Sequence, residues 1–377
     1  MNLFRFLILF SVFIVLNGYL YIRGWQAMPD KVWIRMVFTA IFLFSSLSVF
    51  IAIFLGNRLP LWLTLVFEQV GGYYIILFIF LFAGALLGDV LRASDHYFRI
   101  FPGWIAANYP QAKLLYFFTV LSLLGIMSLI GFSRFSNPKI VELDLSTNPG
   151  RPSEEITLVA ASDIHLGNVI RKGRLGEWVE LINSQHPDVI LLAGDIFDHS
   201  YKSVEMQRMD QELSRLNARY GVYAVPGNHD YYAGIDKVLA FLKHSGIKVL
   251  RDQAVTIDNR IVLVGRDDLT NRNRMPLDSL LIGMGDRLPR VLLDHQPHSM
   301  KESVDNHIDL HISGHTHNGQ IFPFNRIVAR IYELGYGYKK TGHTHFYVSS
   351  GLGLWGAPIR IGTQSEIVKI RLNRELK

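Results

Sequence analysis

The chain has 377 residues, 49% of them hydrophobic, and a formal net charge of +6. A mean hydropathy of +0.20 is high for a protein that is soluble along its whole length, and the length leaves room for more than one domain. Cysteine is absent, which excludes disulfide bonds, thiolate metal ligands and a cysteine nucleophile.

The charged residues are distributed unevenly. Before about residue 135 there are nine Lys or Arg and four Asp or Glu, separated by long apolar runs, whereas the remainder holds 29 and 28. Most of the positive excess therefore lies in the apolar third. The nearly neutral remainder argues against nucleic acid as a partner, because nucleic-acid binding usually requires a basic surface.

Four apolar segments in residues 1–135 are each close to the roughly 20 residues that cross a hydrocarbon core. They cover residues 3–22, 32–55, 73–91 and 114–132. Trp and Tyr residues lie near their ends, as is typical of bilayer interfaces. We predict a multi-pass anchor in a cell (inner) membrane, with the N-terminus and the remaining chain on the same side. The Lys and Arg distribution leans towards an extracytoplasmic catalytic domain but leaves the side open.

From Lys139 onward, short β-type runs alternate with amphipathic stretches, which predicts an α/β domain over residues 139–377. The predicted strands are 139–145, 156–162, 189–193, 222–225, 248–257, 261–265, 290–293, 309–313, 346–349 and 366–372. Helical patterns lie near 174–185, 204–217 and 235–245. In partly parallel sheets, ligands bind beyond the carboxyl ends of the strands.

Five polar motifs follow predicted strands at those ends. They are SDIHLG (162–167), GDIFD (194–198), GNHDYY (227–232), DHQP (294–297) and GHTHNGQ (314–320). If the segments are extended, Asp163 and His165 point to one side, and so do His315 and His317. Imidazole, carboxylate and amide ligands suit Mn²⁺, Fe²⁺ or Zn²⁺ better than Ca²⁺. The ligands exceed what one ion needs, which predicts two metals that share a carboxylate.

A second GHTH occurs at 342–345. It follows a Lys-Lys-Thr-Gly turn and runs into the strand FYVSS, which places His343 and His345 at the amino end of a strand. We therefore interpret this copy as part of a hairpin and the first copy as the metal-binding one.

The five motifs, in this order, resemble those of the calcineurin-like metallophosphoesterase superfamily over about residues 150–377. Their details, and the tail VSSGLGLWGAPIRIGTQSEI, are similar to the membrane-associated bacterial branch. That branch includes YkuE-like phosphoesterases and UDP-2,3-diacylglucosamine pyrophosphatases of lipid A biosynthesis. The resemblance implies a four-layer αββα sandwich of two mixed sheets, preceded here by a four-helix transmembrane region.

The resemblance also implies seven metal ligands, drawn from all five motifs: Asp163, His165, Asp195, Asn228, His295, His315 and His317. Asp195 would bridge the two divalent ions. Three further residues would act without binding metal. His229 would contact the scissile phosphate, and the carboxylates of Asp198 and Asp230 would orient neighbouring residues. His298 is the alternative to His295. We prefer His295 because it lies closer to the end of the preceding strand.

The resemblance predicts a membrane-anchored, dinuclear metal-dependent phosphoesterase that hydrolyses a phosphodiester or diphosphate bond. The most specific interpretation is a UDP-2,3-diacylglucosamine pyrophosphatase, and the alternative is a broader phosphodiesterase or phosphatase for other lipid-linked or nucleotide esters. A transporter or sensor with a metal-binding but non-catalytic domain is an alternative of another class. Segments 174–185 and 332–338 either frame an acyl-chain groove or serve core and loop packing. The oligomeric state is left open.

Overall fold

The computed structural model describes residues 3–147, 155–285, 287–298 and 300–374. Its contacts divide the chain into two compact units, Met1–Ile130 and Gly131–Lys377.

The described part of the first unit is helical. It contains α1 (Leu3–Ala27), α2 (Val32–Leu55), α3 (Leu61–Phe98), α4 (Gly103–Ala107) and α5 (Tyr109–Ser136), the last of which continues into the second unit. Among the described residues, α2, α3 and α5 are long and apolar enough to cross a membrane. Helix α1 covers the first predicted span but is not among the three helices found in the described residues. The structure thus gives three candidate spans where we predicted four.

The second unit alternates strands and helices. Its strands are β1 (Lys139–Thr147), β2 (Ile156–Ala161), β3 (Val189–Ala193), β4 (Val222–Val225), β5 (Lys248–Val249), β6 (Gln253–Ile257), β7 (Ile261–Gly265), β8 (Arg290–Leu293), β9 (Leu310–Ser313), β10 (Gly337–Thr341), β11 (Thr344–Val348) and β12 (Glu366–Arg374). Its further helices are α6 (Lys172–Asn183), α7 (Tyr201–Met206), α8 (Asp210–Leu213), α9 (Asn228–His244), α10 (Leu277–Leu280), α11 (Met300–Asp305) and α12 (Phe324–Ile331).

The described strands form two mixed sheets of six strands each, in the orders β1-β12-β2-β3-β4-β5 and β10-β11-β9-β8-β7-β6. Strands β2 to β5 are parallel to one another, and β12 is antiparallel to β2. In the second sheet β7, β8, β9 and β11 are parallel, and the edge strands β6 and β10 are antiparallel to their neighbours.

Strand β2 shows why the sheets stack into layers, because both of its faces are apolar. Leu158 and Ala160 belong to the buried cluster between the two sheets. Val159 and Ala161, pointing the other way, belong to a second cluster that includes Trp178 of α6. Helix α10 packs on the outer face of the second sheet. The predicted αββα sandwich of two mixed sheets is therefore confirmed.

Two predicted elements are interrupted where the backbone turns left-handed. The predicted strand 248–257 is split between β5 in one sheet and β6 in the other, and Asp252 between them has φ 51°. The predicted helix near 204–217 is split into α7 and α8, with Arg208 at φ 52°. Strand β10 and helix α12 were not predicted.

Helix α6 and Tyr336, which belong to the two segments considered for an acyl-chain groove, are held by packing contacts, whereas Tyr338 is 45% exposed. Helix α6 buries its apolar face, including Leu175 and Trp178. In segment 332–338, the Tyr336 hydroxyl donates to Glu366 (3.0 Å) and accepts from Lys139 (2.7 Å). Core packing is therefore the correct alternative for α6 and for Tyr336.

The end of α5 is built into the second unit. The Gly131 carbonyl accepts a hydrogen bond from Arg360 N (3.0 Å), and that of Arg134 accepts one from Ser365 N (3.3 Å). Phe135 is 3% exposed and packs edge-on against Trp178. These contacts explain why the division between the units falls a few residues before the predicted domain limit at 135.

Candidate metal centre

The five predicted motifs lie at the carboxyl ends of neighbouring strands. In the first sheet, adjacent parallel strands β2, β3 and β4 lead into Asp163, Asp195 and Asn228. In the second sheet, adjacent strands β8 and β9 lead into His295 and His315. This edge of an α/β sheet is where ligands ordinarily bind.

The backbone turns sharply at the candidate ligands instead of running extended. Asp163 and His165 have φ 53°, Asp195 50°, His315 71° and His317 50°. Non-glycine residues in this region cost about 1–3 kcal/mol each and cluster at functional sites. Our reason for pairing Asp163 with His165 and His315 with His317 was therefore wrong, because neither pair is extended.

The first ligand cluster contains Asp163, His165 and His317, whose ligand atoms all lie within 4.8 Å of one another. His165 Nε2 and His317 Nε2 are 3.1 Å apart, and His317 Nε2 is 3.4 Å from Asp163 Oδ1. All three residues are buried. Their atoms converge as the ligands of one cation would.

The second cluster contains Asp195, His295 and His315, again with ligand atoms within 4.8 Å. The left-handed turn thus separates His315 from His317 and sends them to different clusters. Asp195 Oδ2 lies 3.1 Å from His295 Nε2 and 3.8 Å from His165 Nε2 of the first cluster. One carboxylate oxygen therefore stands between the two clusters, where a bridging ligand would be.

Glycines let the loops of this site approach closely. A Cβ at Gly314 would come 2.7 Å from Ser162 Oγ and still nearer to the carboxylate of Asp163. A Cβ at Gly194, which has φ 85°, would contact the ring of His295. Only glycine leaves space for the ligand side chains at these two positions.

The protonation pattern of His295 and an unpaired atom of Asn228 fit cation binding. His295 Nδ1 lies 2.8 Å from the Ala193 carbonyl, so its N–H donates there and Nε2 is left to face Asp195. Among the described residues, Asn228 Oδ1 is buried without a hydrogen-bond partner. Such atoms are rare in proteins, and a divalent cation would satisfy this one.

The electrostatics of the metal-free protein place a proton in the second cluster. Burial lowers the pKa of His295, but the charge of Asp195 outweighs burial and raises that pKa well above its usual value. Burial lowers the pKa of His315 to about 4. Burial also lowers the pKa of His317 well below its usual value, and the charge of His165 lowers the pKa of His317 further. At neutral pH, His315 and His317 are therefore ready lone-pair donors, whereas a cation at His295 must displace a proton.

Asp198 holds the ring of His229 at the rim of the site. Its Oδ1 accepts from His229 Nδ1 (3.1 Å) and from His199 Nδ1 (2.7 Å). Burial raises the pKa of Asp198, but hydrogen bonds from His165, His199 and His229 outweigh burial and hold it well below its usual value. The nearest nitrogen of His229 also lies within 4.8 Å of ligand atoms of His165 and Asp195. The non-ligand role of His229 thus stays a prediction.

Asp230 joins two of the motif loops. Its carboxylate accepts from Gly227 N (2.8 Å) in its own loop and from Phe197 N (2.9 Å) in the GDIFD loop. Burial, with the charge of Asp195 adding to it, raises its pKa to about 7. Asp230 therefore acts on the site by holding these loops together.

Two residues beside the site were missed in the sequence. His199 directly follows the GDIFD motif, and its adjacency to Asp198 was a usable signal. Arg360 is fully buried, and its Nη2 donates to the carbonyls of Ser350 (2.8 Å), Gly351 (3.0 Å) and Gly353. No motif marks Arg360, because its partners are backbone atoms of a loop.

The histidines that we did not assign as ligands lie elsewhere. His345 belongs to β11; its Nε2 donates to Ser146 O (3.1 Å) and its Nδ1 accepts from the Tyr338 hydroxyl (2.8 Å). His343 lies in the hairpin turn between β10 and β11. His298 is exposed, whereas His295 is fully buried. Within the described ranges, none of these three belongs to a cluster of potential ligands.

Two adjoining ligand clusters at the strand ends of an αββα sandwich are the arrangement of a dinuclear metal-dependent hydrolase. The sequence profile of the calcineurin-like phosphoesterase family (Metallophos) matches residues 156–319. The chain is 35% identical over 259 residues to an uncharacterized metallophosphoesterase of Helicobacter pylori (strain J99), a match that covers 67% of this chain and 68% of that protein. The chain therefore belongs to the calcineurin-like metallophosphoesterase family, and it is a metal-dependent phosphoesterase.

Other relatives extend the similarity. The chain is 31% identical over 377 residues to the transmembrane protein with metallophosphoesterase domain of Danio rerio, covering 93% of this chain and 83% of that one. It is also 31% identical to the metallophosphoesterase YkuE of Bacillus subtilis (strain 168), covering 64% and 89%. Among solved structures, the 5'-nucleotidase precursor of Thermus thermophilus matches with a TM-score of 0.37 and 16% identity, over 59% of this chain and 55% of that one. The chain thus spans only about half the length of that structure.

Proposed function

We propose that this chain is a membrane-anchored phosphoesterase with two divalent cations (Mn, Fe or Zn) that hydrolyses a phosphodiester or diphosphate bond. The observation that carries the proposal is the position of Asp195 Oδ2, between His295 of one ligand cluster and His165 of the other. The three helices long and apolar enough to cross a membrane support the anchor.

Two bound cations would supply an acidified water and neutralise charge on the phosphoryl oxygens. The chain would hold them through the first cluster, through the second cluster with Asn228, and through Asp195 shared by both. The buried carboxylates and imidazoles keep the site fixed, so little reorganisation is needed when charge develops on the phosphate.

In this scheme His229 serves the leaving oxygen. Asp198 accepts from His229 Nδ1, which orients the ring, and the second ring nitrogen would give a proton to that oxygen. The His229 backbone N also donates to Asp195 Oδ1 (2.8 Å), so this loop fixes the shared carboxylate as well. Asp230 holds its own loop, through Gly227 N, against the GDIFD loop, through Phe197 N.

We further propose that the substrate is lipid-linked, and that UDP-2,3-diacylglucosamine, cleaved to UMP and the lipid 1-phosphate, is the specific compound. The apolar helices confine the site to a bilayer, where such diphosphates are found. The tail VSSGLGLWGAPIRIGTQSEI and the motif details resemble the branch with this activity. The broader alternative is another lipid-linked or nucleotide ester.

The test is release of UMP from UDP-2,3-diacylglucosamine by the detergent-solubilised full chain with Mn²⁺. Hydrolysis of bis(p-nitrophenyl) phosphate is measured in parallel, and Asp195→Asn serves as the blank. Removing the shared carboxylate should abolish both reactions and most metal binding. Full activity in Asp195→Asn would contradict the two-metal scheme, whereas hydrolysis of only the soluble diester would discard the lipid substrate and keep the metal chemistry.

The membrane side is tested separately. A C-terminal tag that resists protease in intact cells and is cleaved after permeabilisation would place the domain in the cytoplasm, where this sugar nucleotide is made. Cleavage in intact cells would favour another lipid-linked phosphate.

A further inference from the structure

Helix α12 exposes an apolar face to solvent. Along Phe324–Ile331, apolar side chains recur at positions 324, 327, 328 and 331, which is the spacing of one helix face. Phe324 is 37% exposed, Ile327 46% and Ile331 67%, and no residue of the helix is buried. Phe322, just before the helix, is 41% exposed. We call Phe324, Ile327 and Ile331 the α12 face.

Helix α12 is joined directly to the metal centre. It begins shortly after Gly319, which ends the turn that carries the candidate ligand His317. A Cβ at Gly319 would come 2.9 Å from Asn325 Cα, so the first turn of the helix rests on that turn. Just past the other end of the helix, the ring of Tyr332 lies 6.3 Å from that of His315. Both ends of α12 are therefore held beside candidate ligands.

A second exposed aromatic residue is fixed beside the same segment. Trp355 is 43% exposed, and its carbonyl accepts from Gln320 Nε2 (2.9 Å). Phe322 N in turn donates to Ile361 O (2.7 Å). Gln320 and Phe322 are therefore both hydrogen-bonded to the segment that contains Trp355 and Ile361. These bonds fix the backbone beside the exposed rings of Phe322 and Trp355.

The opposite side of the helix is basic. Arg326 and Arg330 are both exposed, and the Arg326 guanidinium lies 5.3 Å from the ring centroid of Phe322. The nearest acidic residue along the chain, Glu333, is paired with Lys339 (2.9 Å). Aromatic and aliphatic side chains on one face, with arginines on the other, are typical of helices that lie in the surface of an anionic bilayer.

We propose that α12 lies in the bilayer surface, with the α12 face among the headgroups and first acyl carbons and with Arg326 and Arg330 on anionic lipid phosphates. The partner is a lipid surface, because this chain already carries helices suited to a membrane and because the arginines complement anionic headgroups. Resting on the proposed function, the consequence is that a lipid-linked phosphoester reaches the metal centre directly from the membrane surface.

The absence of cysteine makes the test direct, because a single introduced thiol labels one site. Ile331→Cys and Ile282→Cys are each labelled with an environment-sensitive NBD dye in the full chain, reconstituted in nanodiscs of phosphatidylcholine and phosphatidylglycerol. Ile282 is the matched control, since it is the same residue type in the same unit and is 79% exposed. Doxyl-labelled lipids then report contact with the bilayer.

We expect the dye at 331 to shift to the blue and to be quenched by doxyl lipid, and the dye at 282 to do neither. Arg326→Gln with Arg330→Gln should weaken the quenching at 331 in anionic discs. Equal quenching at the two positions overturns the proposal. A blue shift at 331 without lipid quenching also overturns it, because the face would then be covered by protein.

A comparison of KM for two substrates distinguishes this proposal from the proposed function. Ile327→Ser with Ile331→Ser should raise KM for the lipid-linked substrate about tenfold relative to KM for bis(p-nitrophenyl) phosphate, from the lost burial of two side chains. Ile282→Ser should leave that ratio at the wild-type value. Quenching at 331 in a protein that does not hydrolyse UDP-2,3-diacylglucosamine supports the docking and refutes that substrate. A ratio that does not change overturns the substrate route.

Discussion

Substituting Gly227 by alanine tests how closely the loops must approach at the shared carboxylate. Gly227 has φ −113°, which alanine adopts without strain, so only contact distances oppose the change. The new Cβ would stand 2.8 Å from Asp195 Cγ and nearer still to Asp195 Oδ1 and to the backbone N of Asp195. Ordinary contact begins at about 3.4 Å, so Asp195 must retreat by at least about 0.6 Å. Crowding of this kind costs about 1–3 kcal/mol in the free energy of unfolding. Since a displacement of ~1 Å costs about 100-fold in rate, we expect kcat/KM to fall about 10- to 100-fold.

The assay is hydrolysis of bis(p-nitrophenyl) phosphate, together with Mn²⁺ titration and thermal unfolding. Gly173→Ala is the control, because Gly173 lies in α6 and nothing stands within 4 Å of its Cβ position. That change should leave activity intact and stabilise the helix by up to ~1 kcal/mol. If Gly227→Ala matches the control in kcat/KM and in Mn²⁺ affinity to within about twofold, Asp195 has not been displaced and the reasoning is refuted.

Three further predictions concern the histidines. His229→Ala should keep two bound metals by elemental analysis and lose most of the rate; loss of a metal would make His229 a ligand. His317→Ala should lose a metal, whereas His345→Ala should keep both; equal loss would show that the second GHTH takes part. The raised pKa of His295 stabilises the metal-free fold below the unfolded value of about 6.5, and this stabilisation is lost as pH rises through the folded pKa. Mn²⁺ should therefore raise the unfolding temperature more at pH 8 than at pH 6, and an equal gain would contradict this linkage.

The strand-end motifs could be placed from the sequence because of how their strands are built. Strands such as β3 are continuous apolar runs, as expected of strands buried on both faces. Gly-Asp follows β3 directly, and Asn-His follows β4 after two residues. The boundaries of β3, β4, β7 and β8 match the predicted ones. Parallel packing then brings distant motifs to one edge.

What could not be predicted depends on tertiary contacts. The left-handed turns at Asp163 and His315 reverse the local geometry, and only the approach of other loops stabilises them. Arg360 is held by carbonyls of a loop, which leaves no periodic pattern in the sequence. Helix α12 is short and lies between Pro323 and the glycine-rich segment that follows, so it gives a weak signal despite its clear face.

The last turns of α5 have a consequence for how the enzyme can be freed from its membrane helices. A cut at Lys139 would remove Phe135 from the core and strip Arg360 N and Ser365 N of their acceptors at Gly131 and Arg134. Arg360 also holds the carbonyl of Gly353, whose N donates to Asp163 O (2.9 Å). Shedding by a protease would therefore yield a damaged catalyst unless the scissile bond lay before residue 131.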